Sequence, residues 1–194
     1  MRPCPEHDDL GCPMERINRV DGVGPSPCDI MLIGEAPGKT EDRKGKPFMG
    51  KSGSELTYLY LAECANIGRE HIYITNLVKC RTNEKDRDPT EREVEACSHL
   101  LRQEVIEVQP RFIGTIGRFA TQWVLGGSMK MEKVHGFGYK VISQKCNMER
   151  KIMPLYHPAY GLHNTGMMRH IMSDFVNFGK LVRGAENVMW KERG

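Results

Sequence analysis

At 194 residues, with 39% hydrophobic and 27% charged side chains, the chain has the size and composition of one folded domain rather than of a disordered segment. No apolar run approaches the length of a membrane span, and Met1 to Asp9 lack the apolar stretch of a secretory signal, so we expect an intracellular, cytoplasmic protein. A net charge of +3 permits nucleic-acid binding without arguing for it, and seven cysteines in a reducing compartment read as core residues, reactive thiols or metal ligands rather than disulfides.

Residues 1–28 are rich in Pro, Gly, Asp and Cys without periodicity and read as an irregular N-terminal arm. Ile30-Met31-Leu32-Ile33 is a continuous apolar run, the mark of a parallel strand buried on both faces, and places the first strand at about 29–34. Pro37-Gly38 then turns the chain into a loop over 35–51 that carries Glu35, Glu41, Asp42 and Phe48. Ser52 and Glu55 have capping-box spacing and predict a helix starting near Gly53, with Leu56, Leu59, Tyr60 and Glu63 at helical intervals. Ile72-Tyr73-Ile74-Thr75 is the second strand and leads into Asn76. Thr90 and Glu93 make another capping box, after which Val94, Cys97, Leu101, Val105 and Val108 trace one helical stripe that Pro110 ends. Phe112 to Ile116 is a third strand, and Gly117 opens a helix to about Leu125. Val134 to Ile142 reads as a hairpin or an irregular excursion. Ile152 to Tyr156 is a fourth, shorter strand that runs into His157-Pro158, and a last helix covers about 167–183 before a tail over 185–194.

Strands alternating with helices predict an α/β fold, a three-layer α/β/α sandwich with a central, mainly parallel four-stranded sheet, in a single domain over 1–194. Three strand ends carry polar residues, Glu35, Asn76 and His157, and all three belong to the carboxyl edge, where open α/β sheets bind ligands. Asn76 offers both a donor and an acceptor, and a histidine at a strand end can donate to a developing anion. Cys4, Cys12, Cys80 and Cys97 are the metal candidates, although Cys4-x7-Cys12 is not a zinc-knuckle spacing and Cys97 equally suits the apolar stripe as a small core residue. Cys28, Cys64 and Cys146 read as ordinary buried or partly buried thiols.

Several segments then occur together in one order. They are Gly34-Glu35-Ala36-Pro37-Gly38 with Glu41-Asp42, Gly45-Lys46-Pro47-Phe48-Met49-Gly50, Thr75-Asn76-Leu77-Val78-Lys79-Cys80-Arg81, Asp88-Pro89-Thr90 running to Cys97, Gly117-Arg118-Phe119-Ala120, and Tyr156-His157-Pro158-Ala159-Tyr160. Over about 28–180 this set resembles the family 4 uracil-DNA glycosylases, the iron–sulfur branch of that superfamily.

The resemblance implies an enzyme that flips uracil out of single- or double-stranded DNA, hydrolyses its N-glycosidic bond and leaves an abasic site. It implies that Cys4, Cys12, Cys80 and Cys97 hold a structural [4Fe–4S] cluster that pins the arm at 1–28 to the sheet. Phe48 would stack on the extruded uracil, Asn76 would read its polar edge, and His157 would hydrogen-bond O2 of the leaving base. Glu35, Glu41 and Asp42 are the acids near the sugar. One would position water or stabilise the cationic sugar, and Glu41 would also crowd C5 and reject thymine. Leu162 would enter the minor groove. The expected partner is uracil-containing DNA, met by a monomer and away from any membrane.

The chain also departs from the family. Its first two cysteines are Cys-x7-Cys where the family has CxxC, His135-Gly136 replaces an Arg-Gly, and Gly161-Leu162-His163-Asn164-Thr165 replaces Leu-Leu-Arg-Asn-Pro. Ala36 stands where family 1 relatives carry an aspartate, and Lys51-Ser52-Gly53-Ser54 lacks the histidine of a branch that bonds covalently to uracil. No lysine is placed by motif to form a Schiff base, so a monofunctional reaction is expected. The alternatives are a glycosylase specialised for a 5-substituted uracil such as 5-hydroxymethyluracil, a non-catalytic uracil- or DNA-binding module, and a zinc-stabilised nucleotide-binding domain.

Overall fold

The computed structural model describes residues 2–3, 12–13, 18–82, 86–143 and 148–192. In the arm, Arg2–Pro3 (β1) pairs antiparallel with Asn18–Arg19 (β2). The central sheet comprises Ile30–Gly34 (β3), Ile72–Asn76 (β4), Phe112–Ile116 (β5), Tyr139–Ser143 (β6) and Met148–Leu155 (β7), in the order β4-β3-β5-β7-β6. β4, β3, β5 and β7 run parallel, and β6 pairs antiparallel with β7 at the edge. The expected four strands therefore become five. The fifth, β6, falls largely within the stretch 134–142 that reads as a hairpin or an irregular excursion, and its partner β7 starts at Met148, ahead of the expected 152, through the polar Glu149-Arg150-Lys151.

Met31, Leu32 and Ile33 are fully buried, as their uninterrupted apolar run requires. Each such burial stabilises the fold by about 1.5–3 kcal/mol. Successive residues of the parallel strands face opposite layers. On one face, Thr75 Oγ1 donates to Glu104 Oε2 (2.7 Å) in helix Glu91–Val108, and Thr115 Oγ1 lies 2.9 Å from Thr121 Oγ1 in helix Arg118–Leu125. On the other face, Phe178 of helix Met168–Val182 packs over Gly114 of β5. These are the three layers.

Helix Glu91–Val108 begins with the expected capping box: Glu93 N–H donates to Thr90 Oγ1 (3.3 Å) and Thr90 N–H to Glu93 Oε2 (2.7 Å). The other expected box fails. Helix Lys51–Glu55 is capped by Gly50 without a side-chain bond, so Ser52 lies inside it. It continues as a π-helix over Leu56–Ala65, in which Leu56, Tyr60, Leu61 and Ala65 are buried. Intervals of four and five follow the wider π repeat rather than the α repeat. Gly179 lets helix Met168–Val182 approach this segment, since a Cβ there would fall 2.3 Å from the Ala65 carbonyl oxygen.

Main-chain bonds close both margins of the sheet. Val23 and Ile74 exchange them at 2.9 and 3.0 Å along β4, and Val20 N–H donates to the Lys79 carbonyl at 2.8 Å. Beside β6, Gly138 N–H donates to the Met189 carbonyl (2.8 Å) and the Gly138 carbonyl accepts from Lys191 N–H (2.9 Å). No helix among the described residues is long and apolar enough to cross a membrane.

Candidate active site

The chain passes from β3 to β4 on one side and then to β5 on the other, which makes the carboxyl ends of β3 and β5 a topological switch point. An open cleft of about 1180 Å³ lies there, lined among others by Glu35, Glu41, Phe48, Asn76, Arg118 and His157. It is larger than the ~300–1,000 Å³ typical of a small-molecule pocket.

Gly34 ends β3 just before the cleft-lining Glu35. Gly34 pairs in register with Asn76, and a Cβ at Gly34 would sit 2.4 Å from Asn76 Oδ1 and 2.6 Å from Phe48 Cζ. The missing side chain is therefore what allows Asn76 and Phe48 to meet. Asn76 is buried, and its carbonyl accepts from Lys79 Nζ at 2.8 Å. Phe48 has φ of +54°, a left-handed backbone that a bulky residue rarely adopts. Glu41 holds this turn: its Oε1 accepts from Met49 N–H and Gly50 N–H, both at 2.7 Å. The Phe48 and His157 rings lie 6.2 Å apart and within 26° of parallel.

His157 follows β7. Its Nδ1 accepts from Ala159 N–H at 3.1 Å, which leaves the ring proton on Nε2. Burial pulls its pKa down to about 4, against a smaller opposing pull from the Glu41 charge. The ring is thus a neutral donor at physiological pH. Glu35 is displaced the other way. Burial, reinforced by Asp88 and opposed by Arg118, lifts its carboxyl to about 7. Asp88 accepts from Arg118 Nη2 at 3.1 Å, and the loop before it is braced by the bidentate Arg87–Glu93 pair at 2.8 and 2.7 Å. Two titratable groups pushed apart in this way suit acid–base and electrostatic work.

The expected residues divide accordingly. Glu35, Glu41, Phe48, Asn76 and His157 converge. Asp42 is buried in helix Lys39–Lys44 and does not line the cleft. Leu162, on helix Ala159–His163, is half-buried and is not among the lining residues, whereas Tyr160 of the same helix lines the cleft and is 61% exposed. Asp88 and Arg118 escaped sequence reasoning as a pair because 30 positions separate them.

Of the four candidate metal ligands, Cys80 and Cys97 are buried and Cys12 is half-buried against the core, while Cys4 lies outside the described residues. Cys97 Sγ accepts from Lys79 N–H at 3.1 Å, which sets this sulfur beside the main chain leading into Cys80. Among the described residues no three His, Cys, Asp or Glu side chains gather as a metal site. The buried thiol pair and its N–H···S bond fit a thiolate centre, because such bonds stabilise ligating sulfur.

The family model of the uracil DNA glycosylase superfamily matches residues 22–177. A type-4 uracil-DNA glycosylase of Saccharolobus solfataricus is 41% identical over 171 residues, covering 82% of this chain and 74% of the relative. Relatives of the same name from Archaeoglobus fulgidus and Thermotoga maritima are 37% and 35% identical, covering 86% and 91% of this chain and 83% and 86% of their own lengths. A type-5 uracil-DNA glycosylase of Pyrobaculum aerophilum is 33% identical over 72% of this chain. The chain belongs to the uracil DNA glycosylase superfamily, and within it to the type-4 uracil-DNA glycosylases.

Proposed function

We propose that this protein is a monofunctional uracil-DNA glycosylase: it removes uracil from DNA, leaves an abasic site and so begins base excision repair. The observation that carries this reading is the meeting of Asn76 and Phe48 across Gly34, with the ring of His157 stacked near Phe48 and Glu35 lining the same cleft.

The base must leave the duplex to reach such a cleft. Phe48 presents its ring as a stacking face, and Asn76, in one orientation of its amide, offers a donor to uracil O4 and an acceptor to N3–H, the reverse of what cytosine presents there. As the bond from C1′ to N1 lengthens, positive charge grows on the sugar and negative charge on the base. His157 donates Nε2–H to uracil O2, and one such donor is typically worth about 3–4 kcal/mol in the transition state. Glu35, as carboxylate, stabilises the cationic sugar and takes the proton of the attacking water, whose oxygen bonds C1′. The uracil anion leaves and takes a proton from solvent water, and Glu35 returns to solvent the proton it received. Glu41 acts by fixing the turn at Phe48, and its charge stands behind His157. Asp42 serves the fold of helix Lys39–Lys44 rather than the reaction. The groove-entering side chain comes from helix Ala159–His163, with Leu162 and Tyr160 as the two on offer.

Cys4, Cys12, Cys80 and Cys97 are the proposed ligands of a [4Fe–4S] cluster, supported by the buried Cys80–Cys97 neighbourhood and by the arm bonds that reach Lys79. When bound, the cluster supplies a covalent staple between arm and sheet. The protein would act inside the cell as a monomer on single- or double-stranded DNA.

The test is a cleavage assay on labelled oligonucleotides carrying one uracil, thymine or 5-hydroxymethyluracil, followed by alkali. Scission at uracil alone is expected. Binding without scission would make the protein a recognition module, and scission only at the modified base would make it a specialised glycosylase.

A further inference from the structure

Lys79 is wholly buried and lies outside the cleft. Its Nζ donates to Thr75 Oγ1 (2.6 Å), to Glu104 Oε2 (2.6 Å) and to the carbonyl of Asn76 (2.8 Å). Glu104 in turn accepts from Thr75 Oγ1 (2.7 Å) and from Gly22 N–H (2.9 Å). A buried charge is expensive, and packing alone would be served as well by an apolar pair of similar volume. What an apolar pair could not do is grip the main-chain carbonyl of Asn76 while its side-chain amide lies over Gly34 against the Phe48 ring.

We propose that Lys79 is a positioning residue for base recognition: with Glu104 and Thr75 it fixes the backbone of Asn76, and thereby the orientation of the amide that reads uracil. This rests on the reading of Asn76 as the uracil reader. The remaining bonds of Lys79 extend the same support. Its N–H donates to Cys97 Sγ at 3.1 Å and its carbonyl accepts from Val20 N–H at 2.8 Å. One residue therefore braces Asn76 against the long helix, the buried cysteines and the arm.

The experiment compares the wild type with N76A, with the double variant K79M/E104Q, and with all three changes together. The double variant removes both charges, so neither is stranded. The readouts are inhibition by free uracil, affinity for uracil-free duplex, and the thermal melt. K79M/E104Q should weaken free-uracil inhibition by about tenfold while duplex affinity is unchanged, and should add little to N76A, because residues acting through one group are not additive. T75V, which deletes one hydroxyl from the same network, provides the same readout with little change of volume if the double variant does not fold. Unchanged uracil inhibition in a folded K79M/E104Q or T75V, with N76A impaired, overturns the positioning role alone. Unchanged inhibition in N76A overturns the recognition reading and the positioning role with it. Full additivity with N76A also overturns the proposal.

Discussion

Glu41 holds Phe48 in place through the two residues that follow it, since one carboxylate oxygen accepts both the Met49 and Gly50 amides at 2.7 Å while Phe48 keeps its left-handed backbone. A clamp of this kind needs an acceptor more than a charge. E41Q should therefore retain most activity, whereas E41A should raise KM at least tenfold and lower stability by about 1–3 kcal/mol. Steady-state kinetics and melts of both variants decide it. Equal loss in E41Q and E41A would give Glu41 a direct part in the chemistry.

In its proposed role, Glu35 would set the pH dependence. With its carboxyl lifted to about 7 and His157 neutral above about 4, kcat/KM should rise through neutrality on a single ionisation. E35Q should abolish that rise and lower kcat by about 10²–10⁴-fold. The linkage has the opposite sign. A carboxyl raised above its unfolded value of 4.5 binds its proton more tightly when folded, so its contribution to stability falls as pH climbs from about 4.5 to about 7. E35Q should accordingly melt higher than wild type at alkaline pH. A pH profile of the variant still rising through neutrality would remove Glu35 from this role.

Gly34→Ala tests the approach of Asn76 and Phe48. The added Cβ would lie within 2.6 Å of both Asn76 and Phe48, so at least one must retreat. Overpacking costs about 1–3 kcal/mol, which a domain of this size can survive. Uracil excision and free-uracil inhibition should both fail in a protein that still melts cooperatively. Normal turnover would mean that the two side chains do not need their present places.

Tyr160 and Leu162 can be separated by substrate. A side chain that fills the space left by a flipped base matters in duplex and little in single strands. Tyr160 is 61% exposed at the rim, so Y160A should slow excision from duplex more than from single strands, and more than L162A does. The reverse ranking assigns the wedge to Leu162.

The proposed thiolate centre predicts composition. Purified protein should contain iron and absorb broadly in the visible, C97A should lose both, and C28A should lose neither. Release of the arm should then appear as proteolytic cutting before Val20, whose amide bonds Lys79. Iron retained in C4A would exclude Cys4 as a ligand.

The strand ends could be read from the sequence because burial on two faces leaves a continuous apolar run at Ile30 to Ile33 and a clear stop at Gly34. The long helix was equally plain, since Thr90 and Glu93 carry a local hydrogen-bond code. Ser52 and Glu55 carry the same spacing, yet Gly50 begins that helix, because a matching pattern does not say which backbone amides are free. β6 stays undecided between hairpin and irregular excursion in the sequence, because an edge strand needs only one buried face and here spends exposed positions on Lys140 and Ile142. In the site, Asn76 and His157 followed from strand ends. The roles of Glu41 and Lys79 did not, because each acts on main-chain atoms of residues brought near only by the folded turn.

The bonds at Val23 on one margin of the sheet and at Met189 and Lys191 on the other have a further consequence. Unpaired rows of N–H and C=O groups invite strand addition by a second molecule, and non-strand segments occupy part of that row on both sides. Removing the chain after Val188 would uncover Gly138 and the start of β6, a strand whose far end already carries the 62% exposed Ile142. The tail, silent in composition, thus covers part of that edge, and its loss should appear first as concentration-dependent aggregation rather than as lost catalysis.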